Sequence, residues 1–305
     1  MRMKPTILIA GLVFALASAL TPAKAEDLVI QHAQGETEVA ANPETVLVFD
    51  LASLDTLDTL GVVVDAVPSG GKPEHLSKYN SDEFPKIGTL FEPDYEAVNA
   101  LEPDLIIVGG RSAAKYADLA KLAPTIDLTV DQKDYLNSMR KNVETLGRIF
   151  GKEAEAQKEL SELTEAVQQL QQVGKDAGRV LVVLTTGGRM SAHGPGGRFG
   201  IIHGDFGLGP AAENLAIGSH GQAISNEFIM QTNPDWLFVL DRDAAIGRDG
   251  QSAEQLLDNE LVAQTTAWQK KQVVYLNAAN WYLVGGGLTA MQMNVTQITE
   301  ALSGK

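Results

Sequence analysis

Two arginines stand at the end of one repeated signature. Glu96, Pro103, Asp104 and Arg111 recur at identical spacing as Glu227, Pro234, Asp235 and Arg242. In each copy a helical pattern begins near the glutamate and stops before the Pro-Asp pair. A fully apolar run follows, Leu-Ile-Ile-Val in the first copy and Trp-Leu-Phe-Val in the second, and reads as a buried strand. The arginine comes just past the carboxyl end of that strand, where ligands bind in open parallel sheets. The repeat predicts two equivalent lobes, with Arg111 and Arg242 facing each other across a cleft. Guanidinium groups stay charged and present a fork of donors to planar oxygens, so such a cleft suits an anionic ligand.

Other residues could join them. Arg198 lies in Gly-Pro-Gly-Gly-Arg-Phe-Gly, a mobile glycine-rich loop suited to closing over a ligand, and Arg248 in a second glycine-flanked loop is a substitute candidate. His220, between Ser219 and Gly221, reads by itself as a surface histidine. Tyr282 follows Trp281 and precedes Gly285-Gly286-Gly287, and reads by itself as a half-buried aromatic. Glu96 and Glu227 stand near helix N-termini, where the dipole favours acids. His203 ends an apolar helical pattern and reads as structural, and His32, His75 and His193 show no paired spacing. Phosphate-loop, zinc-protease, nucleophile-elbow and dinucleotide signatures do not occur, and no nucleophile–base or acid–base pair suggests an enzyme.

The elements that must position these residues alternate. Short apolar runs at 45–49, 62–67, 105–108 and 125–130 read as strands, with helices at 51–60, 95–101 and 113–122 between them. From 134 to 173 the chain has no proline and repeats Leu, Glu, Lys and Gln at helical spacing. It reads as one long helix or two nearly continuous ones, with Gly147 and Gly151 the only weak points. A second half follows, with strands at 179–185, 236–240 and 273–276 and helices near 224–231, 253–257 and 289–302. The expected architecture is two Rossmann-like α/β lobes, 26–133 and 174–305, joined by a single long α-helix at 134–173, with the ligand cleft between the lobes.

Composition bounds the chemistry further. The 305 residues carry 24 Lys and Arg against 39 Asp and Glu, a net charge of −15, which argues against a general nucleic-acid surface. With no cysteine there is no disulfide framework, thiolate metal site, cysteine nucleophile or lipidated N-terminal cysteine. Residues 1–25 read as a secretory signal peptide: Arg2 and Lys4, the run 7–20 that is apolar except for Ser18, then Ala23-Lys24-Ala25. That run is shorter than the roughly 20 residues needed to span a bilayer. Cleavage after Ala25 would leave 21 basic against 39 acidic groups, a net of −18. The mature chain is expected to be periplasmic, soluble, not lipidated and without stable membrane insertion.

The pattern resembles the class III periplasmic substrate-binding proteins of ABC importers over essentially the whole mature chain. It looks most like the binders of ferric catecholate siderophores, the enterobactin- and petrobactin-type group. Matching segments include Asn42-Pro43-Glu44-Thr45-Val46, Gly197-Arg198-Phe199-Gly200-Ile201-Ile202-His203, His220-Gly221-Gln222-Ala223-Ile224-Ser225 and Trp281-Tyr282-Leu283. The resemblance implies a nearly rigid, monomeric binding protein, not an enzyme, with no permanent cofactor and with Fe(III) as cargo inside a siderophore. It implies that Arg111, Arg198 and Arg242 line the pocket, with Trp281 beside them. It also implies that His220 and Tyr282 complete the iron shell when the siderophore supplies only four oxygens. Glu96 and Glu227, one per lobe, would pair with arginines of two permease subunits. Haem, cobalamin or a ferric hydroxamate on the same scaffold is the alternative, and an exported α/β enzyme a remote one.

Overall fold

The computed structural model describes residues 27–304, so the segment read as a signal peptide lies outside the described residues. An antiparallel hairpin, β1 (Asp27–His32) and β2 (Gly35–Ala40), precedes a parallel sheet of β3 (Val46–Val48), β4 (Leu105–Val108) and β5 (Thr125–Asp127). The second lobe is built on β6 (Val180–Thr186), β7 (Arg189–His193), β8 (Gln222–Ile224), β9 (Trp236–Asp241) and β10 (Val273–Tyr275). Their order is β10-β9-β6-β7-β8, parallel from β10 to β6 and antiparallel beyond. The β6–β7 turn is Gly187-Gly188, both with positive φ, as a two-residue hairpin demands. Among the described residues no helix is long and apolar enough to cross a membrane.

The repeat is an equivalence of hydrogen bonds as well as of sequence. The Asp104 carboxylate accepts from the Thr45 amide at 2.8 Å, while the amides of Asp104 and Leu105 both donate to the Thr45 carbonyl. In the second lobe the Asp235 carboxylate accepts from the Arg179 amide at 2.8 Å, and the amides of Asp235 and Trp236 both donate to the Arg179 carbonyl. The residues before the two prolines, Glu102 and Asn233, turn the chain at φ +46° and +44°. Each aspartate thus locks the start of its strand to a neighbouring one, which sets where the following arginine emerges.

One expected strand does not form. Residues 62–67 run beside β3 but make only isolated bridges at Ala66 and Val67. The Asp65 carboxylate takes the Val46 amide at 2.7 Å, in place of the carbonyl that a strand would offer, and Pro68 follows directly.

The segment 134–173 is two helices, Tyr135–Ile149 and Glu153–Gly174, folded back on each other rather than nearly continuous. Gly151 turns the chain at φ +60°, and Gly147 lets the pair approach, because a Cβ there would lie 2.9 Å from the Ala156 methyl. Arg140 of the first helix donates to Thr164 of the second at 3.0 Å. The single long helix between the lobes is therefore Glu153–Gly174 alone.

Alternation along the strands divides the core. Val46 and Val48 of the first sheet, and Val180, Val182 and Phe238 of the second, join one cluster with Leu160, Leu163, Val167 and Leu170 of the connecting helix. The opposite strand faces, Leu47 with Ile106 and Leu181 with Val239, pack into separate clusters of their own lobes. The C-terminal helix Leu288–Ser303 packs on both the connecting helix and the helix Leu51–Thr59 of the first lobe. Its N-cap is Gly287, which has no side chain to offer. Asp55, fully buried, supplies the missing acceptor from the other lobe, taking the Ala290 amide at 3.3 Å and His75 Nε2 at 2.7 Å. Replacing Asp55 with Ala should lower stability by about 2–4 kcal/mol, since it leaves a buried helix N-terminus and the half-buried His75 imidazole without their partner. Urea unfolding at pH 7 checks this, and a loss below about 0.5 kcal/mol would refute it.

Candidate ligand-binding site

The short helix Ala278–Leu283 follows β10 and begins with the Asn277 side chain accepting from the Asn280 amide at 3.1 Å. Three glycines from 285 to 287 prevent it from continuing, so the carbonyls of Tyr282 and Leu283 lack helical partners. Guanidinium groups take them. Arg198 donates to the Tyr282 carbonyl at 2.9 Å, Arg111 donates to the same oxygen, and Arg111 also reaches the Leu283 carbonyl at 3.4 Å. Arg242 donates through Nε to the Tyr282 hydroxyl at 2.8 Å. The Arg198 guanidinium lies over the phenol ring, 4.0 Å from its centre, with Arg111 and Arg242 at 5.2 and 5.4 Å. The three arginines singled out from sequence therefore meet on one tyrosine.

Each arrives from a different element. Arg111 follows β4 on a turn in which the Gly110 amide donates to Thr129 Oγ1 at 2.9 Å. Gly109 must lack a side chain because its Cβ would press on the Asp50 carboxyl, 2.9 Å away. Arg242 is the first residue after β9, and its NH1 also donates to Thr186 Oγ1 at 3.3 Å. Arg198 sits in the glycine-rich segment, expected as a mobile loop. The segment is instead a hydrogen-bonded turn, Gly197 to Gly194 and Gly200 to Gly197, anchored by the buried Phe199.

Two adjoining cavities of about 510 and 520 Å³ open on this cluster and share Arg198, Ser219, His220 and Tyr282 as wall. His220 is exposed, and Ser219 Oγ lies 3.3 Å from its Nδ1. It is presented by a turn in which Gly221 has φ +66° and passes too close to Ala192 and His193 for any Cβ. Burial alone would raise the Tyr282 phenol, but the Arg242 hydrogen bond and the charges of Arg198 and Arg242 outweigh it and hold the phenol below its ordinary range. A phenol and an imidazole thus face the same space, both able to bind a hard or borderline cation through a lone pair.

Trp281 reaches the site from the core side. It is buried, with edge contacts to Phe199 and Phe206 at 6.3 Å, and touches the first-lobe cavity from the core rather than offering a stacking face. Glu96 and Glu227 are both exposed, each in the first turn of its helix, with Asp94 and Ser225 as the caps. Arg248 lies off the tyrosine, 3.8 Å from Asp243, while Arg242 lies 3.7 Å from the same oxygen. Sequence reasoning passed over Asp50, Phe91 and Tyr135, which line the first-lobe cavity. Asp50 carries a legible signal, since it caps the helix Leu51–Thr59 by accepting from Ser53 at 2.8 Å. Phe91 and Tyr135 carry none, because only tertiary folding brings their segments to the cleft.

Residues 46–279 match the profile of a protein family described as periplasmic binding protein. The chain belongs to that family. The petrobactin-binding protein YclQ of Bacillus subtilis is 39% identical over 92% of this chain and 89% of its own length. The ferric-anguibactin-binding protein FatB of Vibrio anguillarum is 33% identical over 89% of this chain and 86% of its own. The crystal structure of YclQ superposes with a TM-score of 0.88, covering 91% of this chain and 99% of that one. That of the catecholate-siderophore-binding protein VctP from Vibrio cholerae gives 0.85 at 31% identity, covering 90% and 99%. These relatives are binding proteins, and the two-lobed fold described above is theirs.

His193 lies beneath the His220 turn, buried, with its ring edge-on to Phe199 at 4.8 Å. Burial, helped by the charges of Arg198 and His220, pushes its pKa down from 6.5 to about 4. The unfolded chain takes up this proton as pH falls through about 6.5 and the folded chain only near 4, so folding loses stability across that window. Between pH 7 and pH 4.5 the unsubstituted protein should lose about 2–3 kcal/mol more than a His193→Gln variant. Urea unfolding at both pH values measures the difference, and parallel declines in the two proteins would contradict it.

Proposed function

We propose that this protein is a non-enzymatic, monomeric receptor of the periplasm that captures a ferric siderophore and hands it to an ABC importer. The observation that carries the reading is the convergence of Arg111, Arg198 and Arg242 on Tyr282 at the junction of two cavities. Three fixed cations outnumber the carboxylates beside them, Asp243 and Asp50, and so favour an anion. A ferric bis-catecholate has a net negative charge and supplies only four of the six oxygens that Fe³⁺ prefers. Tyr282 as phenolate and His220 would fill the last two positions, and the phenol is already biased toward ionisation. A ferric hydroxamate, haem or cobalamin makes less use of three clustered guanidiniums. The names of the relatives, binders of petrobactin and of ferric anguibactin, agree with a ferric siderophore as the ligand.

Release of residues 1–25 by signal peptidase and the lack of a lipidated cysteine fit free diffusion in the exported compartment. Glu96 and Glu227 would meet basic pockets on two permease subunits, one per lobe. The shared interlobe core and the cap that Asp55 supplies favour small relative motion of the lobes on binding.

Tryptophan quenching and visible absorbance during titration with ferric tetradentate and hexadentate catecholates test the reading. Tyr282→Phe and His220→Ala should each weaken the tetradentate complex by about tenfold or more and the hexadentate one by less than about threefold. Equal losses would remove direct ligation, and quenching by haem or cobalamin alone would remove the siderophore reading. Glu96→Lys with Glu227→Lys should leave both titrations unchanged while abolishing uptake of ⁵⁵Fe-siderophore by cells that depend on this receptor.

A further inference from the structure

The second-lobe cavity continues beyond Tyr282. Its outer wall is the β6–β7 hairpin and the loop after the helix Arg242–Ala245, and it carries Arg189 and Arg248. Neither reaches the tyrosine. Arg189 is exposed, and among the described residues its side chain makes no ion pair or hydrogen bond. Arg248 is exposed as well and shares its one acidic neighbour, the buried Asp243, with Arg242. That carboxylate is already engaged by the Thr186 hydroxyl and the Gly187 amide. Met190 and Ser191 of the same hairpin also line this cavity. The first-lobe cavity is different: its arginines, Arg111 and Arg198, are accompanied by Asp50. The cleft is thus more cationic on one side than a singly charged complex centred on Tyr282 requires.

We propose that Arg189 and Arg248 form an outer anion station that holds a carboxylate borne on the siderophore's backbone, away from the iron-binding oxygens. The proposal rests on the siderophore reading above and narrows it to ligands that carry a free acid off the metal. Two guanidiniums on a hairpin and a loop can embrace such a group from two sides, each with a fork of donors. Because both side chains stay in contact with solvent, the gain is moderate and falls with salt.

The test uses two synthetic ferric bis-catecholamides that differ only in the linker, one neutral and one bearing a carboxylate. Unsubstituted mature protein should bind the carboxylate-bearing complex about five- to tenfold more tightly by tryptophan quenching. The double variant Arg189→Gln, Arg248→Gln should lose that preference while its affinity for the neutral-linker complex changes less than about twofold. A preference that persists in the double variant, or none in the unsubstituted protein, overturns this inference and leaves the siderophore reading standing. Failure of the unsubstituted protein to bind either complex overturns both.

Discussion

The grip of three guanidiniums on one tyrosine is the constraint on which the rest of the architecture turns. Arg111, Arg198 and Arg242 repel one another, yet they are held within a few ångströms of a single ring. The offsetting interactions are local. A truncated helix leaves carbonyls of Tyr282 and Leu283 without partners, at the negative end of its dipole, and the arginines occupy them. A phenol oxygen and an aromatic face take the remaining charge. Asp243 lies 3.7 Å from Arg242 and is shared with Arg248, and Asp50 lines the cavity beside Arg111. Nearby acids are thus fewer than arginines, and the cluster keeps a net positive charge. On the reading proposed above, an entering anion removes a repulsion that the fold has already borne. Such preorganisation reduces what the ligand must order on binding.

Holding the cluster requires the lobes to be fixed relative to each other. Arg111 emerges from the first sheet and Arg242 from the second, and a shift of an ångström between the sheets would break one of the contacts. Two features supply the register. The inner faces of both sheets share one apolar cluster with the connecting helix. The C-terminal helix crosses from the second lobe to the first, where Asp55 caps it and Thr59 Oγ1 lies 2.7 Å from Thr289 Oγ1. Separating the lobes would expose that cluster and take the Ala290 amide away from the Asp55 carboxylate. The charge excess of the chain matters less: at −15 overall, the protein's exterior is acidic, but salt screens that field beyond about 8–10 Å. On the reading proposed above, recognition is left to the few cations inside the cleft.

How far the sequence could be read depends on the range of the interaction. The apolar strands, the helix that starts after Asp50 and the paired Glu-Pro-Asp-Arg signatures depend on neighbours within a few residues, and the hydrogen-bond equivalence of Asp104 and Asp235 matches the repeat. Gly147 and Gly151 stood out as weak points, but whether a glycine bends a helix slightly or folds it back is decided by what waits to receive it. Here Ala156 packs against the bare Gly147, and the chain reverses. Residues 62–67 have strand composition, and a single side chain, Asp65, replaces the ladder bond that would have made them one. Its place beside Tyr282 left open whether Trp281 stacks on a ligand or packs; neighbours on a short helix point in different directions, and this one packs into the core.

By itself the sequence determined the alternation of strands and helices, the doubling of the lobe, the acidic balance, the absence of thiol chemistry and the candidate arginines. All follow from residue types, from periodicity within an element, or from a signature repeated across one helix and the strand after it. Only the tertiary structure decided that Arg111, Arg198 and Arg242 meet on Tyr282, that His220 shares their cavity wall, and that Arg189 and Arg248 stand apart on the outer side. Those relations join residues up to 172 positions apart, as Arg111 and Leu283 are. They are set by how the two sheets and the crossing C-terminal helix pack, because a guanidinium's partner is whatever oxygen the folded chain leaves unsatisfied within its reach.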